Sequence, residues 1–303
     1  MSKIVAFYYT QTGQGLDILR SVCRPPEDAG HEVIYKAIVP EKAFPFPWTS
    51  DEFFHVFPDA YRGVPCPLRD IDLSDAENAD LVIIEYPVWF LSASIPTHAF
   101  FNTPAVRRFL KDKPVVAISG CRNMWAMAHL AVSACIDGCG GKLVGHIALQ
   151  DRHHNLISVI TTVRWLICGR KEKKGFFPAA GVSPDDVTHA AVFGRTIAGA
   201  LHDGEWAGLQ QKLMQNNAVC YRPGIVFLEK NGHRIFGLWA RFVSHKDANR
   251  RAFRLKLFKY YLFAVLYLVS PVGMFLFYLT LPFRCKAIRK DRIKLTGLSH
   301  EIL

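Results

Sequence analysis

At 303 residues the chain is long enough for one large domain, or for a domain of about 150 residues with an appended part. Half the residues are hydrophobic, mean hydropathy is +0.11, and net charge is +11; of this, +10 falls between Arg250 and Lys294, where eleven Lys/Arg face one acid, Asp291. Basic residues held to the two sides of an apolar segment argue against a nucleic-acid binder, which spreads them over a folded face, and for a membrane surface.

Ile4-Val5-Ala6-Phe7-Tyr8-Tyr9 predicts a buried strand, because it is apolar and rich in β-branched and aromatic residues. It runs into Thr10-Gln11-Thr12-Gly13-Gln14-Gly15 and then into helical spacing from Leu16. Strand, hydroxyl- and glycine-rich turn, and helix start together make an anion site, since backbone N–H groups and the helix dipole face one point. Neither the Walker spacing nor the dinucleotide Gly-x-Gly-x-x-Gly is present. An ordinary strand–helix turn is the plainer alternative.

Residues 31–38 predict a second strand. Residues 40–68 form a long connection studded with Pro and aromatic residues, either a flap over something apolar or an insertion packed on the core. A third strand over 80–85 ends in residues 86–96, and a fourth over 115–119 ends in Gly120-Cys121-Arg122-Asn123-Met124-Trp125. A helix then runs to about Cys139, stopped by Gly140-Gly141, before a fifth strand over 142–149. Strands alternating with helices imply a parallel, doubly wound sheet, and ligands bind such sheets beyond the C-terminal strand ends. Residues 10–15, 86–96 and 120–125 occupy those ends.

Asp151-Arg152-His153-His154-Asn155 packs five polar residues after the fifth strand, followed by an apolar helix over 156–168. Ser183-Pro184 starts a helix that reaches about Leu201, with Ser as cap and Pro at the first position. Residues 225–239 predict a β-hairpin across Asn231-Gly232. Residues 260–283 hold no formal charge, long enough for a bilayer span, with Tyr260, Tyr261 and Tyr278 near the ends. Ser270-Pro271-Val272-Gly273 is expected to break this helix, and both flanks are basic, so a monotopic hairpin in one leaflet fits best. A buried or substrate-covering helical pair is the alternative. Eight cysteines without Cys-x-x-Cys or zinc spacing, and an N-terminus that enters a strand at once, set the expectation of a reducing cytoplasm and no metal.

Thr-x-Thr-Gly-x-x resembles the FMN phosphate loop of flavodoxins, in which Thr or Ser usually fills the last place; here it is Gly15. The resemblance implies an α/β, flavodoxin-like, doubly wound five-stranded parallel sheet over residues 1–150. A substrate-site extension with helices and the hairpin would fill 151–249, and a membrane-associating segment 250–303. FMN would be held by Thr10, Gln11, Thr12, Gly13, Gln14 and Gly15 at its phosphate. Pro87, Val88, Trp89, Phe90, Gly120, Cys121, Arg122, Asn123 and Trp125 would lie at its ring, with Arg122 and Asn123 on the pyrimidine edge. A base for chemistry over that ring should titrate near the working pH. His153 and His154 are the candidates, with Asp151 to orient a histidine and Arg152 to stabilise an enolate oxygen. A polar cap for the next helix explains the same cluster equally well, and His129 reads as structural.

Tyr8-Tyr9-Thr10-Gln11-Thr12-Gly13-Gln14, Pro45-Phe46-Pro47-Trp48, Gly120 to Trp125, Asp151-Arg152-His153 and Asn155-Leu156-Ile157-Ser158-Val159 together resemble a bacterial flavodoxin-like family. The match continues through Leu257-Phe258-Lys259-Tyr260-Tyr261 to Ser270-Pro271. This is the dialkylresorcinol-condensing enzyme family, associated with aryl polyene and flexirubin pigment clusters. The resemblance implies an FMN-dependent aromatase that oxidises a dialkyl-cyclohexane-1,3-dione, made by a partner ketosynthase, to a dialkylresorcinol. The basic, apolar C-terminus sets the expectation of a place at the cytoplasmic face of the inner membrane. Homo-oligomerisation is left open. The competing readings are a membrane-anchored NAD(P)H-dependent quinone reductase, an electron-transfer flavodoxin, and a non-catalytic membrane scaffold without FMN.

Overall fold

The computed structural model describes residues 1–244 and 247–298, so 245–246 of the expected extension and 299–303 of the expected membrane-associating segment lie outside the described residues. In chain order the elements are β1 (Lys3–Tyr8), α1 (Gln14–Asp28), β2 (Glu32–Ala37), α2 (Ser50–His55), α3 (Phe57–Arg62), β3 (Leu81–Glu85), β4 (Val88–Trp89) and β5 (Ser92–Ala93). Next come α4 (Ile95–Asn102), α5 (Pro104–Leu110), β6 (Pro114–Cys121), α6 (Ala126–Gly138), β7 (Lys142–Gln150), α7 (Asn155–Cys168), α8 (Pro184–His189), α9 (Ala191–Asp203) and α10 (Leu209–Gln215). The chain then forms α11 (Pro223–Val243), α12 (Ala248–Leu279) and α13 (Leu281–Thr296).

Five parallel strands lie in the order β2-β1-β3-β6-β7, the flavodoxin-like doubly wound order with its switch point between β1 and β3. Every residue of β3 is buried, as a central parallel strand covered on both faces requires. Alternation along β1 divides the core. Ile4 and Ala6 face a layer that includes α1 and α9, while Val5 and Phe7 face α4, α5 and α6. A Cβ at Gly194 on α9 would fall on the Val22 carbonyl oxygen of α1, so those helices pack backbone to backbone. The layer beside α1 is therefore completed by residues beyond 150.

Two expectations fail. Residues 225–239 are not a hairpin but part of α11, whose buried Val226, Glu229, Phe236, Ala240 and Val243 follow a helical period. Asn231-Gly232 sits mid-helix: Asn231 donates to the Phe227 carbonyl at 2.8 Å, and Gly232 makes room for Leu91. Close approach, rather than a turn, explains this glycine. Nor does Ser270-Pro271-Val272-Gly273 break the apolar helix. A π-helical turn over Val265–Val269 precedes Pro271, and Ser270 Oγ donates to the Leu266 carbonyl at 2.6 Å. The wider turn and the hydroxyl re-satisfy groups that proline would orphan. The change of direction comes later, at Thr280.

By length and composition α12 is the one described helix able to cross a membrane; its most apolar window has mean hydropathy 2.1 and is 6% buried. Leu268, Phe275 and Leu279 stand out to solvent. α13 returns to the body of the protein. Its Asp291 takes a two-oxygen contact from Lys230 of α11 at 2.8 and 2.9 Å, and Leu295 enters the core beside α1.

Candidate functional site

The C-terminal ends of β1, β3 and β6 open onto a cavity of about 560 Å³, within the range of small-molecule sites. Its polar end is the turn after β1. Gly13 takes a left-handed conformation (φ 83°) as the N-cap of α1, which turns the helix start toward the cavity. The Thr10 and Thr12 hydroxyl oxygens accept from the N–H groups of Gly13 (3.0 Å) and Gln14 (3.4 Å), so both side chains are fixed within the loop. Gln11 donates to the Pro45 carbonyl, and Gln14 makes a two-way bond with the Val182 backbone. The loop is thus tied to two later segments of chain.

One wall is the β4–β5 hairpin. Its turn residues, Phe90 (φ 49°) and Leu91 (φ 62°), are both left-handed, the backbone of a type I′ turn made without Gly or Asn. Such strain costs of order 1–3 kcal/mol per residue and persists where packing over-determines it. Here Phe90 packs on Phe53, Phe54 and Phe57, and Trp89 is ringed edge-on by Tyr9, Phe44 and Trp48. The long connection over 40–68 therefore does cover the cavity, through Trp48, Phe53 and Phe54, and also packs on the core.

The opposite wall is polar. The Arg122 guanidinium donates to Asn155 Oδ1 (2.6 Å) and to the Asn155 carbonyl (3.1 Å), and Asn123 Nδ2 donates to the same Oδ1 (2.7 Å). Burial pulls the Arg122 pKa down to about 10, which leaves it cationic at neutral pH. Behind this wall Glu229 of α11 accepts from the Met127 N–H at 2.8 Å, at the start of α6, a helix without a side-chain cap of its own. Burial pushes the Glu229 carboxyl up to about 7.

The far end is apolar. Phe227, Leu228, Ile235 and Phe236 of α11 meet Tyr261, Leu262, Leu266 and Val269 of α12, so the cavity runs from the sheet edge to the exposed apolar helix.

Of the residues expected at a flavin, Thr10, Gln11, Thr12, Gln14, Gly15, Pro87, Val88, Trp89, Phe90, Gly120, Cys121 and Arg122 line this cavity. Gly13, Asn123 and Trp125 do not; Asn123 and Trp125 are buried behind it. The expected base cluster stands apart. None of Asp151, Arg152, His153 and His154 lines the cavity, whose wall resumes at Asn155. Asp151 is buried and holds His153 Nδ1 at 2.6 Å, while Arg152 pairs with Asp186 of α8. His153 N–H also bonds Asp151, the pattern of a local turn that leads into α7. His129 is buried and stacks on His146 (3.7 Å between ring centroids).

Three contributors escaped the sequence reading. Asn155 figured there in a capping cluster and in the family motif but not at the flavin, Glu85 as the end of a strand, and residues 225–239 of α11 as a hairpin. A charged residue ending an all-apolar central strand was the available signal for Glu85.

No protein-family model and no curated protein sequence matches the chain. Among solved structures it is similar to a flavoprotein from Lactobacillus acidophilus in complex with FMN (15% identity, 49% of this chain and 93% of that one, TM-score 0.40). It is also similar to a flavoprotein from Bacteroides eggerthii (20%, 50% and 91%, TM-score 0.37) and to a flavone reductase (13%, 66% and 63%, TM-score 0.38). The fold assignment rests on strand order and register, not on these distant likenesses.

Proposed function

We propose that the chain is an FMN-dependent oxidoreductase that aromatises a dialkyl-cyclohexane-1,3-dione to a dialkylresorcinol, the dione coming from a partner ketosynthase. The observation that carries this reading is the continuity of one cavity, from the hydroxyl and N–H groups at the start of α1 to the apolar faces of α11 and α12. FMN fits the near end. Thr10, Thr12 and the first N–H groups of α1 would hold its phosphate, which the helix dipole favours, and Trp89, Phe90, Gly120 and Cys121 would enclose its ring. Bound FMN would accept the hydride that the dione ring loses as it becomes aromatic. Arg122 has no carboxylate at ion-pair distance among the described residues, so its charge would favour the negative charge of an enolate. The apolar walls of α11 and α12 would take the alkyl chains.

The proposed setting is the cytoplasmic face of the inner membrane. The exposed apolar side of α12, with basic residues before and after it, suits a surface of anionic lipids from which a lipophilic ring could enter.

One observation favours a second reading, an NAD(P)H-dependent quinone reductase. Among the described lining residues there is no histidine, and a quinone takes its protons from solvent without a placed base. Anaerobic mixing separates the two. The first reading expects the dione to bleach the flavin and NAD(P)H not to; bleaching by NAD(P)H alone would replace it with the second.

A further inference from the structure

The turn after β1 lacks one hydroxyl at Gly15, and the structure shows what stands there instead. A Cβ on Gly15 would fall onto the Glu85 carboxyl group, with Oε2 2.7 Å away. Glu85 is the last residue of β3, is 1% exposed, and lines the cavity beside Thr10, Thr12 and Gly15. Its Oε2 has no hydrogen-bond partner among the described residues. A carboxyl placed so cannot be explained by packing, since an unsatisfied buried polar atom is costly.

We propose that the Glu85 carboxyl takes the place of the missing side chain at position 15 and binds the phosphate of FMN. This rests on the flavin reading above and adds a ligand to it. Burial raises the Glu85 pKa well above the ordinary carboxylate range, with the Tyr9 N–H opposing, and so favours the protonated acid, which has a proton to donate. Thr10, Thr12 and Gly15, at the start of α1, line the same cavity as Glu85. A neutral acid among them donates to a phosphate oxygen, whereas a carboxylate would repel it. Glycine at 15 is then the consequence of the acid, because both cannot fill one space.

Flavin titration, read as quenching of flavin fluorescence, tests this with FMN and with riboflavin, which has no phosphate. Wild-type protein should prefer FMN. Glu85→Leu should weaken FMN about tenfold and leave riboflavin unchanged, since a hydrogen bond to a charged group is worth roughly that much. Glu85→Gln keeps a neutral donor and should retain the preference. Gly15→Thr should weaken both flavins by the clash, and Gly15→Thr with Glu85→Gly should restore binding and the preference for FMN. That pair keeps the test open if Glu85→Leu does not fold. Equal loss of FMN and riboflavin in Glu85→Leu, or no loss of either, overturns the role of Glu85 while leaving flavin binding intact. Failure of the wild-type protein to bind either flavin overturns the functional reading and this inference together.

Discussion

The two ends of the cavity are built by different means. At the sheet edge, short loops on parallel strands place polar groups with nearly every one bonded to backbone: Thr10 and Thr12 to their own turn, Gln14 to Val182, Arg122 to Asn155. At the helical end, α11 and α12 supply only shape and apolar surface, and one face of α12 is left uncovered. A rigid polar end can orient a charged ring system; an apolar end can sort substrates by size and by the phase they come from. The division teaches that cofactor and substrate questions concern different parts of the sequence.

The sharpest way to break that division is at Arg122, the cation at the polar end. Arg122→Leu should lower the rate of dione-dependent flavin reduction by roughly 100-fold, the usual cost of removing one donor at developing charge. Anaerobic stopped-flow would measure it. An unchanged rate would mean that the polar end only holds the cofactor. The helical end is tested by Leu268→Asp combined with Phe275→Asp, two exposed positions of α12 that do not line the cavity. Burial of a large apolar side chain is worth about 1.5–3 kcal/mol, so co-sedimentation with anionic vesicles should weaken about 100-fold or more. Flavin binding should be untouched, and equal vesicle binding by the variant would remove the membrane from the account.

The same division decided what could be read from sequence. β1, β3, β6 and β7 were legible because their apolar runs are short, bounded and β-branched, and the loops after them were placed by topology alone. The apolar end was not. Asn231-Gly232 between apolar runs gives the strongest local hairpin signal, and tertiary packing overrode it; Gly232 lets Leu91 approach and Gly237 lets Tyr61 approach. Pro271 was a sound helix-breaking signal, defeated by a π-turn that no residue pattern announces. The cluster from Asp151 to His154 looked catalytic by composition, but direction is a property of the turn it caps. Glu229 was invisible as a site residue, because burial is what makes it unusual, and for Glu85 the one signal was its place at the end of an all-apolar strand.

Glu229 is the latch between the two ends: it sits on α11 and accepts from the start of α6. Glu229→Ala leaves the Met127 N–H, and the Ala126 N–H beside it, without that acceptor. The expected loss is about 2 kcal/mol by urea unfolding, the cost of orphaned buried donors. Glu229→Gln keeps an acceptor and should lose less. Equal losses would show that an amide oxygen cannot replace the carboxylate at this contact, because Gln keeps the volume of Glu.

The smallest effect is a matter of sign. The Glu229 carboxyl, held up to about 7 in the fold against an ordinary value near 4.3, binds a proton that the unfolded chain does not hold between about pH 4.3 and 7. Its contribution is therefore present at low pH and is lost as pH rises through 7. His129, pushed down to about 4 by burial against His146, works the other way. Below about pH 6.5 the unfolded chain takes up protons that the folded ring refuses, so stability is lost as pH falls toward 4. Glu85, raised, and His146, lowered, add to the two sides in turn. Between pH 6.5 and 5.5 the Glu229 and His129 contributions each amount to about 1 kcal/mol and oppose one another, while His98 and His233, also lowered by burial, add to the histidine side. Removing one side exposes the other. Relative to the wild-type protein, Glu229→Gln should lose more stability on acidification across that unit, and His129→Phe, which keeps a ring against His146, should lose less. Urea midpoints at the two pH values decide it. If both variants follow the wild-type pH dependence, neither group titrates from a buried position, and the latch and the stacked pair are held by packing alone.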